Sequence, residues 1–227
     1  MNGLQTWWLA AATLALLAIY ELVGVMAQRQ QPERLARSAH ATLREAWFDA
    51  VSLQSGSEIL AVQTLRNSVM SATMTASTAA LALMGMVSLT APSLQDRFIA
   101  SEAARPVFSV QLALELVLLA LLFASLVACV SAVRYYNHVG FIVGMPVESD
   151  ARKRWAEAGR RYVRRAGLLY SWGLRYLIMT GPILASMLSP LAGPVAAVIV
   201  VSLLLWFDRA GPQEYEPLLH RKNSDKP

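Results

Sequence analysis

Between Ser68 and Ala91 the chain runs for 24 residues without a charged side chain. A helix rises about 1.5 Å per residue, so this run would span about 36 Å. A bilayer's hydrocarbon core is about 30 Å thick and takes roughly 20 residues to cross. A stretch of this length and polarity sets the frame into which everything else in the chain must fit.

Three more stretches repeat the pattern. Leu4–Ala27 carries one charge, Glu21, and Val107–Val133 carries Glu115 near its start. Leu168–Phe207 is too long for one straight crossing, and "SPLAGP", Ser189 to Pro194, interrupts it with two prolines and a glycine. This predicts two arms joined by a tight hairpin, the second arm short. The composition agrees: 56% of residues are apolar and 15% charged, against about a quarter charged in soluble domains. The expected fold is all-α, a multi-pass transmembrane helical bundle. Four full spans at about 4–27, 60–91, 107–133 and 168–188 would be followed by a short or re-entrant fifth at 191–207, with amphipathic cytoplasmic helices outside them. Residues 1–208 form one membrane domain, and 209–227 are expected to be a disordered cytoplasmic tail.

Basic residues orient the bundle. The connection 28–59 carries Arg29, Arg34, Arg37 and Arg44, whereas 92–106 carries only Arg97 and Arg105. The connection 134–167 is the richest, and the tail adds Arg209, Arg221, Lys222 and Lys226. The first span has no Lys or Arg before its apolar core, so it reads as a retained anchor rather than a leader. Lys and Arg accumulate on the cytoplasmic side. This places the N-terminus outside and the C-terminus in the cytoplasm of a bacterial cytoplasmic (inner) membrane, with Trp7 and Trp8 in the outer aromatic belt.

Two cytoplasmic helices are expected, at about 32–54 and 150–167. In the first, Pro32 and Glu33 suit an opening turn. "SGSE", Ser55 to Glu58, then has the form of a capping box for the next helix, which would start near Gly56. In the second, Asp150 reads as the N-cap and Trp155, Ala158, Tyr162 and Ala166 as the apolar stripe. Arg160, Arg161, Arg164 and Arg165 flank that stripe, and anionic lipid headgroups are their expected partner rather than nucleic acid.

Charges inside a bilayer are costly and often functional, whereas those near its edge can snorkel. Arg66 and Asn67 fall at the cytoplasmic edge and Glu115 near the outer headgroups. Glu21 and Arg175 lie somewhat deeper, at a depth similar to that of Arg66. Glu21, Gln63, Arg66, Asn67 and Arg175 therefore form a candidate polar or ion-pair site. It is read first as a clasp between the first, second and fourth spans, centred on a Glu21–Arg66 pair, and second as a gate or anion site. Gln63, Arg66, Asn67, Met70, Met74 and Ser77 share one helical face, beside a run of small residues, Ala72, Ala76 and Ala80, suited to close packing. Gly181–Pro182 predicts a kink in the fourth span. Arg134, Tyr135, Tyr136, Asn137 and His138 form a candidate interfacial motif at a turn just past the third span.

Catalysis has little support in the sequence; an acid–base role for His138 ranks below an interfacial one, and a membrane enzyme is the third reading. No phosphate-cradling Gly-Lys loop, G-x-S-x-G or H-E-x-x-H occurs. His40, His138 and His220 form no ligand pair, and the single cysteine, Cys129, reads as a small buried hydrophobe, so neither metal nor cofactor is expected.

"LAVQTLRNSVMSATMTAS", "VRYYNHVGFIVG", "GLRYLIMTGP" and "LLLWFDR" resemble the membrane family catalogued as domain of unknown function 599, over about Leu43 to Asp208. The resemblance implies a multi-span membrane protein of unassigned activity. It makes Gln63, Arg66, Asn67, Arg134, Tyr135, Asn137, His138 and Arg175 the first residues to test. The expected function is a non-enzymatic oligomeric pore or transporter for a small solute or ion. The alternative is a membrane scaffold or accessory subunit that binds a partner through its cytoplasmic helices.

Overall fold

The structure is a computed structural model and describes residues 3–30, 36–98 and 109–209. The expected helix start at Pro32 and Glu33, the connection carrying Arg105, and the tail beyond Arg209 lie outside the described residues. Six helices and no strand occur among the described residues: α1 Gly3–Gln30, α2 Ala36–Leu53, α3 Glu58–Phe98, α4 Val110–Val143, α5 Asp150–Leu188 and α6 Ala192–Arg209. Three stretches are long and apolar enough to cross a membrane: Gly3–Met26, Glu58–Pro92 and Val110–Val143.

The helices outrun the apolar runs inside them. α3 has 41 residues and α5 has 39, so each is about 60 Å long, twice the thickness of a hydrocarbon core. The backbone hydrogen-bond ladder does not stop at a change of polarity. α5 therefore fuses the basic segment at 150–167 and the apolar segment at 168–188 into one rod, which runs unbroken through Pro182. α4 likewise extends ten residues past the expected end at 133, so Arg134 to His138 are helical rather than at a turn. The turn comes after Gly144 instead.

Two cores divide the bundle. One joins α1, α4, α5 and α6 through Ala10, Leu17, Tyr20, Leu114, Leu118, Leu122, Met179, Ile183, Ala197 and Leu204. The other joins α2, α3, α4 and α5 through Phe48, Ala61, Leu65, Ala132, Tyr136, Val139, Val143, Val163 and Ala166. α4 and α5 run through both. They approach closely at Gly173, where a Cβ would come within 2.4 Å of Cys129 Sγ. Ser125 Oγ donates to Gly173 O there at 2.7 Å. Cys129 is a buried free thiol, as its apolar setting suggested. Glu115, expected near the outer headgroups, is buried and accepts from Gln111 Nε2 at 3.0 Å.

α3 buries Ala72, Ala76 and Ala79, the small-residue face foreseen from the sequence but shifted from Ala80 to Ala79. Its opposite face is left open. Gln63, Arg66, Met70, Met74 and Ser77 are all exposed. The hydroxyls of Thr64, Ser68, Ser71, Thr75 and Thr78 each return to the carbonyl four residues back, at 3.0–3.3 Å. Their donors are thus satisfied inside the helix, which lets α3 carry hydroxyls in an apolar setting without needing water.

Candidate functional site

The α2–α3 turn differs from the expected capping box. α3 begins at Glu58, and Ser57 O accepts from Ala61 N at 2.9 Å. Gly56 adopts a φ of 86°, the left-handed region that favours glycine. Ser57 Oγ donates to Val51 O and Gln54 O, at 3.1 and 2.7 Å, and so satisfies carbonyls left over at the end of α2. Glu58 reaches across to accept from Val147 N, in the α4–α5 turn, at 3.4 Å. At that turn the N-cap of α5 is Ser149, whose Oγ accepts from Arg152 N at 3.3 Å, and Asp150 is the first helical residue.

Arg152 is the residue on which this corner closes. It is 2% exposed. Its Nη1 donates to Val143 O and Met145 O at 2.8 and 2.7 Å, and its Nη2 donates to Val51 O at 3.0 Å. A guanidinium thus caps the carbonyl ends of α2 and α4 together, where both helix dipoles favour a cation. Burial pulls its pKa below the ordinary arginine value, with the Glu58 charge opposing.

α5 buries Arg152, Gly159, Val163 and Ala166; of the Trp155–Ala158–Tyr162–Ala166 stripe read from the sequence, Ala166 is buried and Tyr162 packs on α4, whereas Trp155 turns outward. Trp155 is 49% exposed. Phe48 of α2 lies on Gly159, where a Cβ would come within 2.3 Å of its ring. Salt bridges flank this contact: Arg160 with Asp49 at 2.7 Å and Arg164 with Glu45 at 3.2 Å, while Arg161 pairs with Glu157 at 2.5 Å along α5. The Asp49 carboxylate raises the Arg160 pKa. Three of the four arginines assigned to lipid headgroups therefore meet carboxylates of this chain. Arg165 is exposed with no acidic partner among the described residues.

The expected clasp centres on Glu21 and Arg66 with Arg175 as a further partner; the structure shows an ion-pair triangle at Arg175 with other residues. Arg175 Nη2 pairs with Asp208, Arg175 Nη1 donates to Tyr20 Oη at 2.5 Å, and Tyr20 Oη donates to Asp208 Oδ2 at 2.8 Å. All three residues are buried. The triangle ties α1, α5 and α6 together, whereas the expected one tied the first, second and fourth spans. Glu21 is half-buried on α1, one residue from Tyr20, and Arg66 is exposed on α3. The acid opposite Arg175 is Asp208, not Glu21. Asp208 went unassigned in the sequence, although a signal was there. Arg175 and Asp208 lie 13 and 16 residues from the facing ends of α5 and α6, Leu188 and Ala192, so a hairpin brings them level.

Asn67 and Tyr136, from two separate sequence motifs, meet at a cavity of about 230 Å³. Arg44, Asn67, Ser68, Ser71, Tyr136 and Tyr170 line it, so α2, α3, α4 and α5 all contribute. Arg44 lies across Gly167 of α5, where a Cβ would come within 2.3 Å of its Nη1. Ser68 and Ser71 spend their hydroxyl protons on Thr64 O and Asn67 O and so offer lone pairs. The guanidinium, the amide and the two phenols supply donors, and among the described residues no carboxylate lines the cavity. The rest of the interfacial motif stands apart: Tyr135 and His138 hold their rings 5.6 and 5.9 Å from that of Tyr162, and Arg134 and Asn137 are exposed. Gln63 and Arg66 also stay outside the cavity.

No curated protein and no solved structure matches the chain. A family profile described as "Protein of unknown function, DUF599" matches residues 8–212, from within α1 to beyond the end of α6, and the chain belongs to that family.

Proposed function

We propose that the protein is a multi-pass carrier or pore for a small anion in the bacterial cytoplasmic membrane, with the Arg44 cavity as its recognition site on the cytoplasmic side. The observation that carries this reading is the cavity's composition. One guanidinium, one amide and two phenols converge from four helices with no carboxylate among them. That donor set suits an anion. The volume of about 230 Å³ restricts the occupant to a small one.

The proposed topology has five crossings, with the N-terminus outside and the C-terminus in the cytoplasm. Its support is the α5–α6 hairpin. Leu168 to Leu188 gives about 31 Å of helix, enough to cross the core, and α6, with 18 residues, returns about 27 Å. The Arg175–Asp208 pair joins the two arms at one level, which supports a C-terminus on the side where α5 begins. Labelling of a Ser224→Cys variant from outside intact cells would overturn this orientation. The proposed form is oligomeric, with a second copy covering the exposed face of α3 at Gln63 and Arg66, since polar groups on a membrane helix favour protein over lipid. Anionic headgroups are the proposed partner of Arg165.

The test is uptake of formate and of chloride by vesicles reconstituted with the protein, for wild type, Arg44→Gln and Asn67→Leu. Flux above that of empty vesicles, cut about tenfold or more by Arg44→Gln, is expected from loss of a charge-assisted contact. Wild-type vesicles no leakier than empty ones to any small anion would sink the carrier and favour the scaffold.

A further inference from the structure

We infer that a groove between the end of α2, the α4–α5 turn and the first turns of α5 binds a soluble small molecule bearing an oxyanion. This site is separate from the Arg44 cavity and shares no lining residue with it. The groove has a volume of about 510 Å³, within the range of clefts that hold small ligands. Its walls include Phe48, Val147 and Ala156, and Leu53 stands at its rim, 86% exposed.

Six of the ten residues that line it are polar or charged, Asp49, Ser52, Arg152, Lys153, Glu157 and Arg160, and two of their polar atoms stand out. Ser52 Oγ and Arg152 Nε are buried and have no hydrogen-bond partner among the described residues, and both residues line the groove. A buried donor left unpaired is costly and calls for an explanation. Arg152 spends three of its five N–H donors on backbone carbonyls, and its buried Nε–H makes none of these bonds. Ser52 offers one hydroxyl. An acceptor placed between them would satisfy both.

Charge selects an anion over a neutral acceptor. Among the described residues no carboxylate bonds to the Arg152 guanidinium, and Glu58 acts on it through space. The two acids that line the groove are already engaged, Asp49 by Arg160 and Glu157 by Arg161. Lys153, whose Nζ lies 3.8 Å from a Glu148 carboxylate oxygen, also lines the groove. The oxyanion would take the Nε–H and the Ser52 hydroxyl, and a short apolar portion would lie on Phe48 and Val147.

Helix arithmetic separates a free ligand from a lipid headgroup. Glu58 precedes Arg66 by eight residues on α3, and Val143 follows Arg134 by nine on α4. With both arginines at the membrane edge, the groove stands about 12–14 Å farther into water. A phosphate fixed to a bilayer does not reach there.

The probe is butyl phosphate, with inorganic phosphate for comparison, titrated calorimetrically into the full chain in phosphatidylcholine nanodiscs. Butyl phosphate should bind with a dissociation constant below about 1 mM, and inorganic phosphate more weakly. Ser52→Ala should weaken butyl phosphate about tenfold. Ala156→Phe should abolish binding by filling the groove, while the three carbonyl bonds of Arg152 remain. Absence of binding at millimolar concentration, or equal affinity in wild type and both variants, would overturn the site. Moving the protein to phosphatidylglycerol nanodiscs should leave the affinity unchanged. Competition from that lipid would overturn the assignment to a free molecule.

Discussion

Arg152 and Arg175 are both buried, both on α5, and 23 residues apart, about 34 Å along one rod. They solve the burial of a guanidinium in opposite ways. Arg175, among the apolar helices, meets a carboxylate and a phenol, so its charge is neutralised by another side chain. Arg152, in the polar head, meets only backbone carbonyls at two helix ends. The first solution joins helices that run side by side; the second closes a corner where helices stop. An apolar surrounding demands a counter-charge. At the head, the negative ends of two helix dipoles supply part of that compensation.

The comparison breaks most visibly at Arg152. Arg152→Met keeps an unbranched stem, removes the guanidinium and strands the carbonyls of Val143, Met145 and Val51. Each bond to a charged donor contributes about 1.5–3 kcal/mol, so a loss of about 3 kcal/mol or more is expected. It should be local at first. Hydrogen exchange in detergent should rise at the end of α2 and across the α4–α5 turn before α1 or α6 responds. Uniform protection across both regions in the variant would mean that the corner is held by the Phe48–Gly159 contact instead.

Arg175 gives the next largest effect. Arg175→Gln strands Asp208, and about 1–3 kcal/mol should be lost, less than a buried pair costs in a soluble core, because helices separated in lipid find other polar partners. Asp208→Asn should cost a similar amount. The double variant should cost less than the sum, since neither charge is then left alone. Thermal unfolding in detergent measures the four corners of the cycle. Strict additivity would reduce the triangle to three independent contacts with Tyr20 as a bystander.

These two arginines also mark where the sequence could be read and where it could not. The apolar stretches, the hairpin at Ser189 and the small-residue face of α3 were legible because each depends on residues close in sequence. The early start of α3 was legible too, from the turn residues before it, but the full lengths of α4 and α5 were not, because a helix continues past the apolar run that signals it, as α4 does through Tyr136. Arg152 was hidden among the basic residues of one connection. Nothing local distinguishes it from Lys153 or Arg154; the distinction is made by two helix ends that converge only in the fold. Arg44 was obscured in the same way, since its place over Gly167 depends on how α2 lies against α5. Asn67 and Tyr136 were each singled out, in separate motifs, and only tertiary structure shows that they share a cavity with Arg44. The depth of Arg175 in an apolar run marks it in the sequence, and α1 does contribute to its site through Tyr20, but the acid comes from α6 rather than from α1. Asp208 was written in the sequence as the hairpin mate, through its matched distance from the turn.

The smallest effect sharpens the comparison from the solvent side. Asp49 accepts both Nε and Nη2 of Arg160, at 3.0 and 2.7 Å, yet both side chains stay about half open to water. Water and salt screen such a pair, and fixing two long side chains costs entropy. Asp49→Asn should therefore lower thermal stability only by a fraction of the Arg175→Gln effect, and only at low ionic strength. Raising the salt to about 1 M shortens the screening length to about 3 Å, and the difference between wild type and variant should then vanish. The Arg152 deficit should persist at the same salt concentration, because its partners are dipoles at contact distance inside the corner. If the Asp49→Asn deficit also persisted at high salt, the α2–α5 seam would be held by that hydrogen bond rather than by charge. The packing of Phe48 on Gly159 would then need its support to hold α2 against α5.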